Sequence, residues 1–519
     1  MKTRRLLQVI WCLIISSAAA APRIEKVEPL AVVPGARTIL TFSGSGLDSV
    51  SNLWTTFGAE VEKVANTNSG RVSFAVRCPS TASGIQAVQL FGTEGASGFQ
   101  LVMIDHLKTL ASNGDNRSTE KALKLSPPIA VDAAVKSEEI DYYHISCKAG
   151  QTYSIEAIAH RIGSQMDPVV RVLDYSGKEL QFCDDEGGVW IDARFRFTAP
   201  LDGDYLIAVH DVGYGGGNDF EYRLRISHDP LIWYTFPLVD LSANTAAFEP
   251  IGTGVNSTPS SPANPPSVPL FPTSPQLIEA EPNNSRDHAQ RLSHPLLLNG
   301  KIQSAGDLDY FRFTAAKDQK LIFKSQTRSL GSPCDLVLRL LKSDGSYVAQ
   351  SDSGTANDAA LTNKFSDAGE YFLEVRELSG AAANNAPYRI LVEEFVPGFT
   401  LATENNILEL KPGESAKLKI TATRYEYDAP IELSLDPPIE GITLENKTIP
   451  EKKNEVELTL KTKTELAPGF FQHVSFIGKN TNGAPVKVST RPALRKAFPL
   501  MLNSPPFLDG MITVVVRRK

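Results

Sequence analysis

Seven aspartates carry the first chemical suggestion in this sequence. Asp167, Asp184, Asp185 and Asp192 form one set, and Asp335, Asp352 and Asp358 form another. Each lies at the end of an apolar run or in the turn-rich stretch after it, and Asp167, Asp184 and Asp192 return as Asp335, Asp352 and Asp358. Carboxylates converging from neighbouring loops suit a hard cation such as Ca2+, which takes about six to eight oxygen ligands. Each Asp has a second available role, accepting a hydrogen bond from its own backbone and so capping a turn. Calcium ligation and turn capping are therefore the two readings of these positions.

Two aromatics stand in glycine-rich stretches, Trp190 after Gly187-Gly188 and Tyr214 among Gly213, Gly215, Gly216 and Gly217. A loop aromatic can stack on a sugar or polymer face, or it can pack its own loop. Catalytic constellations are weaker. Asp352-Ser353-Gly354-Thr355 spells an aspartic-protease loop, but its repeat counterpart Asp184-Asp185-Glu186-Gly187 lacks the hydroxyl residue. There is neither a GxSxG elbow nor an HExxH pair. His210-Asp211 are adjacent at a strand end, where neighbouring side chains point to opposite faces, so they read as a solvated pair.

These residues need a scaffold, and the chain shows it by repeating itself. Asp141-Tyr142-Tyr143 matches Asp309-Tyr310-Phe311, and Asp167 to Leu173 matches Asp335 to Leu341, both at an offset of 168. The offset falls to 166 by Asp192 and Asp358, and holds through Tyr205 with Tyr371 and Tyr222-Arg223 with Tyr388-Arg389. A change of length confined to one place belongs in a loop, since a one-residue slip in a strand turns its apolar face outward. Alternation at Tyr153, Ile155 and Ala157, and β-branched runs such as Val169 to Leu173, predict strands. Each copy is expected to be an antiparallel sandwich of about 100 residues.

At 519 residues, with 42% hydrophobic and 21% charged content, the chain is globular and too long for one core. Residues 1–20 read as an export signal, with Lys2, Arg4 and Arg5 before an apolar run and Ala18-Ala19-Ala20 at the expected cleavage point. Losing those cations makes the formal charge of -7 more negative, which argues against a nucleic-acid partner. No later run is long enough for a membrane helix. Cys78, Cys147, Cys183 and Cys334 are too few for a disulfide scaffold, although Cys147 and Cys183 fall in one copy and are a candidate pair.

The expected organisation is an immunoglobulin-like sandwich over 22–104, repeat copies over 105–230 and 277–396, a Pro/Ser-rich spacer over 231–276, and a C-terminal immunoglobulin-like β-domain over 397–519. The fold class is all-β, tandem sandwiches joined by linkers.

Each copy resembles the bacterial pre-peptidase C-terminal domain. The matching words in the second copy are Glu281-Pro282-Asn283-Asn284, Gly300, Asp307 to Phe311, Asp335, Asp344-Gly345, Asp352, Asp358 and Gly369-Glu370-Tyr371. The first copy has Asn113-Gly114-Asp115-Asn116 at its entry and keeps the rest. The flanking segments resemble immunoglobulin-like modules found beside such pairs in exported proteins of planctomycete-type bacteria.

The resemblance implies a jelly-roll-like sandwich that is an accessory and carries no catalytic residues. Related collagen-binding modules place calcium at a comparable linker, which makes Glu279, Glu281, Asn283 and Asn284 a second calcium candidate. The function expected is that of a non-catalytic exported binding or structural protein, periplasmic, cell-surface or extracellular, whose partner is an extracellular polymer or envelope protein. An accessory or remnant of a secreted peptidase or hydrolase system is the alternative.

Overall fold

Apolar runs that alternate with polar residues and end in Gly, Pro, Asn or Asp become strands, because each can bury one face and leave the other wet. The computed structural model describes residues 20–64, 70–185, 191–238, 249–254, 275–354, 358–380, 385–463, 466–479, 485–501 and 504–518. Among them the structure is almost all β, with one α-helix, Arg491–Ala497. The all-β, tandem-sandwich expectation is met. The signal expected over 1–20 lies, apart from Ala20, outside the described residues. Among the described residues, no helix is long and apolar enough to cross a membrane.

The two repeat units share one topology. In the first, a sheet ordered Thr109–Ala111, Ile129–Ala134, Glu221–Ser227, Thr152–Ile158, Ala193–Thr198 packs on one ordered Leu123–Lys124, Asp141–Cys147, Gly203–Asp211, Pro168–Asp174, Glu179–Cys183. In the second, the orders are Gln276–Ile278, Leu296–Ile302, Ala386–Glu394, Lys320–Gln326, Ala360–Lys364 and Gln290–Arg291, Leu308–Ala315, Gly369–Glu377, Leu336–Lys342, Tyr347–Ser351.

Inward positions of both sheets build each core. Tyr143, Val170 and Ile207 meet Ile155 and Leu224 in the first unit, and Phe311, Leu338 and Leu373 meet Phe323 and Ile390 in the second. The two-residue difference between copies falls between the edge strand and the strand that follows it, where no ladder has to slip.

Two further β units flank the repeats. In the first, Arg23–Glu28, Arg37–Ser45, Arg71–Arg77 and Glu60–Val64 form one sheet, and Ala31–Val32, Gln100–Ile104, Gly84–Gly92 and Val50–Thr55 form the other. The last, from Gly398–Ala402 to Ile512–Val516, buries Leu418, Ile420, Leu458, Phe476 and Val514.

These outer units dock on each other. Phe91 stacks on Phe471 with centroids 3.7 Å apart, Trp54 lies 4.1 Å from His473, and Ala87, Phe99 and Leu101 share a cluster with Leu494, Phe498 and Leu508.

Part of the expected spacer is ordered. Leu231–Phe236 and Glu249–Thr253 pair as an antiparallel hairpin. Tyr234 and Leu238 are buried with Leu330 of the second repeat, while Arg194 of the first donates to the Ile232 carbonyl at 3.3 Å. The aromatic run Trp233-Tyr234 with Phe236 gives this stretch enough apolar surface to dock, which proline and serine content alone does not reveal. Residues 239–248 and 255–274 lie outside the described residues.

Among the described residues, Cys78, Cys147, Cys183 and Cys334 form no disulfide. Cys147 and Cys183 do not pair because their strands are separated by two others in the same sheet. Three strand spacings amount to about 14 Å, against a disulfide Cα limit of about 7 Å.

Candidate metal centre

The entry of the second repeat and the strand Leu308–Ala315 bring Glu279, Glu281 and Asp309 together, with one carboxylate oxygen from each within 4.8 Å of the others. Backbone pairing places them. The Glu279 N–H donates to the Asn299 carbonyl at 2.9 Å, and the Tyr310 N–H donates to the Asn283 carbonyl at 3.0 Å, so the entry segment is tied to two strands at once.

Side chains then fix the oxygens. The Lys301 N–H donates to Glu279 Oε2 at 2.6 Å, the Asn283 N–H to Glu281 Oε2 at 2.7 Å, and Asn283 Nδ2 to Glu279 Oε1 at 2.8 Å. The hydroxyl of Tyr388 donates to Asp309 Oδ2 at 2.7 Å. Gly300 is required there, because a Cβ on it would lie 2.2 Å from the Tyr388 ring.

Asp309 and Asn283 are fully buried, yet Asp309 Oδ1 and Asn283 Oδ1 have no hydrogen-bond partner. No basic side chain forms an ion pair with Glu279, Glu281 or Asp309 among the described residues. Burial, and then Glu279, push the Asp309 carboxyl far above the usual carboxylate range, and burial raises Glu279 as well. Buried acceptors left without donors are costly, and either a proton shared between Glu279 and Asp309 or a cation would relieve them. The donor set is all oxygen, which suits a hard cation such as Ca2+ and not a thiolate- or imidazole-seeking metal.

Five of the seven aspartates read first from the sequence engage turns or an arginine. Asp192 Oδ1 accepts from the Ala159 and His160 N–H groups at 3.0 and 2.7 Å, and its Oδ2 accepts from Arg161 Nε at 2.6 Å. Asp358 repeats this, accepting from the Thr327 N–H at 2.7 Å and its hydroxyl at 3.0 Å. Both cap the 3-10 turn that follows a strand. Asp352 accepts from the Gly354 N–H and Asp184 from the Asp185 N–H, and Asp335 pairs with Arg328 at 3.1 Å.

Asp167 and its counterpart Asp335 each keep a buried, unpartnered Oδ1. At Asp167, burial, then Asp185, Asp211 and Asp184, raise the carboxyl to about 6. Tyr214 stacks on His210 with centroids 4.5 Å apart and remains 43% exposed. Trp190 lies outside the described residues. His210 Nδ1 meets the Asp211 backbone carbonyl at 2.8 Å, while the Asp211 carboxylate caps Gly213 and Gly215. The adjacent pair is no dyad, and it is not the solvated pair expected from the sequence, because both residues are buried against the loop that Asp211 caps.

Asp309 is the member of the centre that sequence reasoning passed over. Its signal was the recurring word Asp-Tyr-Phe/Tyr: a charged residue repeated at a strand position whose next-but-one neighbour, Phe311, is core.

No family model and no curated protein matches the chain. Among solved structures, it is similar to the pre-peptidase C-terminal domain of a collagenase from Bacillus anthracis, at 14% identity over 20% of this chain and 94% of that one, with a TM-score of 0.17. It is also similar to SGBP-B of the Bacteroides ovatus mixed-linkage glucan utilization locus, at 11% identity over 72% and 74% of the two chains and a TM-score of 0.17. It is similar as well to the D1–D4 ectodomain fragment of ICAM-5, at 11% identity over 89% and 96% of the two chains, with a TM-score of 0.13.

Proposed function

We propose that this chain is a non-catalytic, exported binding or structural protein of the bacterial exterior, and that its second repeat is held rigid by a calcium ion at Glu279, Glu281, Asn283 and Asp309. The observation that carries the calcium reading is the buried, unpartnered pair of oxygens on Asp309 and Asn283 facing two further carboxylates. Bound Ca2+ would tie the entry segment to the strand behind it and stiffen the junction between hairpin and repeat. The non-catalytic reading is supported by the carboxylates of Asp192, Asp211 and Asp352, which accept from backbone N–H groups at turns.

The partner proposed is an extracellular polymer or envelope protein, met by loops such as the one that exposes Tyr214. Retention of the purified mature chain on polysaccharide or envelope, lost on Tyr214→Ala, supports this. Casein or ester turnover that a serine or metal inhibitor abolishes would overturn it.

A further inference from the structure

We propose that the first repeat carries its own cation, the guanidinium of Arg117, where the second repeat takes a metal ion, so that the chain binds one cation per molecule and only its second repeat responds to it. This rests on the calcium reading of the second repeat. The correspondence comes from backbone pairing. In the first repeat the Ser112 N–H donates to the Asp132 carbonyl at 3.0 Å and the Tyr142 N–H to the Asn116 carbonyl at 2.8 Å, as Glu279 and Tyr310 do in the second. Counting from these ties, Ser112 stands for Glu279, Gly114 for Glu281 and Arg117 for Asn284. Asp141 stands for Asp309, since Tyr222 donates to its Oδ2 at 2.6 Å as Tyr388 does to Asp309.

Two carboxylates have been removed and one positive charge added. Arg117 pairs with Asp141, reaches Glu139 at 2.9 Å through Nε, and donates to the Ala134 carbonyl at 3.2 Å through Nη2. The Ser112 hydroxyl donates to Asn116 Oδ1 at 3.0 Å, so the amide oxygen that is unpartnered in the second repeat is satisfied in the first. Gly114 is left-handed, at φ +74°, where a glutamate would be strained. A fixed guanidinium stays bound at any calcium concentration, whereas a metal site fills and empties with supply.

Hydrogen exchange on the full-length mature chain, read segment by segment with Ca2+ or with chelator, tests this. Chelation should speed exchange by about tenfold in 279–284 and 307–310 and leave 112–117 and 139–142 unchanged. A response in both repeats overturns the proposal. A response in neither refutes the calcium reading alone, and Arg117 is then judged by its own variants. Arg117→Ala should speed exchange at 139–142 and Arg117→Lys should do so less, and no change in either would overturn its role. Terbium titration of the full-length mature chain should find one ion bound per molecule, and two bound ions would overturn the proposal.

Discussion

The Tyr388 hydroxyl donates to Asp309 Oδ2 at 2.7 Å, joining the two sheets of the second repeat through a polar contact inside an apolar core. Tyrosine serves one oxygen of this fully buried acid, while burial and the neighbouring Glu279 carboxylate favour its neutral form. Tyr388→Phe removes the donor to that oxygen while keeping the ring. A loss of about 1–3 kcal/mol is expected for the second repeat, read as a lower midpoint in chemical unfolding, with the first repeat unaffected.

Calcium should raise the melting temperature of the mature chain and chelator should lower it. Saturation at about one hundred times the dissociation constant contributes about 2.7 kcal/mol to whichever unit binds. Glu281 is exposed, so Glu281→Gln should fold normally yet abolish the shift; an intact shift in calorimetry would exclude it as a ligand.

Asp192→Ala and Asp358→Ala separate turn capping from ligation. Each should destabilise its own repeat by about 1–3 kcal/mol by leaving buried N–H groups without an acceptor, and by the same amount with calcium or with chelator. A loss that appears only with calcium would return these residues to the metal.

His473 makes the contact between the outer units sensitive to acid. Burial lowers it to about 4, among Trp54, Phe91, Phe99 and Phe471, with Nε2 2.8 Å from Gln89 Oε1. Its unfolded value is about 6.5, so the unfolded chain binds the extra proton between these limits. Stability is complete above about pH 6.5 and is lost as the pH falls toward 4, by about 1–3 kcal/mol. His473→Gln should flatten this slope in melts taken from pH 7 to pH 4.

Strand periodicity and the repeat were open to reading because burial of one face imposes a period of two on every strand. Placing the chemistry was harder. Asp192 and Asp358 recur because a 3-10 turn recurs and must be capped, and recurrence does not distinguish a cap from a ligand. Glu279, Glu281 and Asn283 were visible at the entry, but Asp309 lies about thirty residues on in a strand. Only the sheet pairing brings it back. The hairpin Leu231–Phe236 was concealed for a related reason: its buried partner, Leu330, belongs to another unit.

The docking of the first unit on the last has a topological outcome. With Phe91 against Phe471 and the Arg518 N–H on the Thr93 carbonyl at 2.8 Å, the polypeptide closes on itself and the repeats become the span of a loop held at its neck. A protease that nicked the stretch between the repeats would leave two fragments still clasped together, so a severed molecule would keep both of its middle modules on one support.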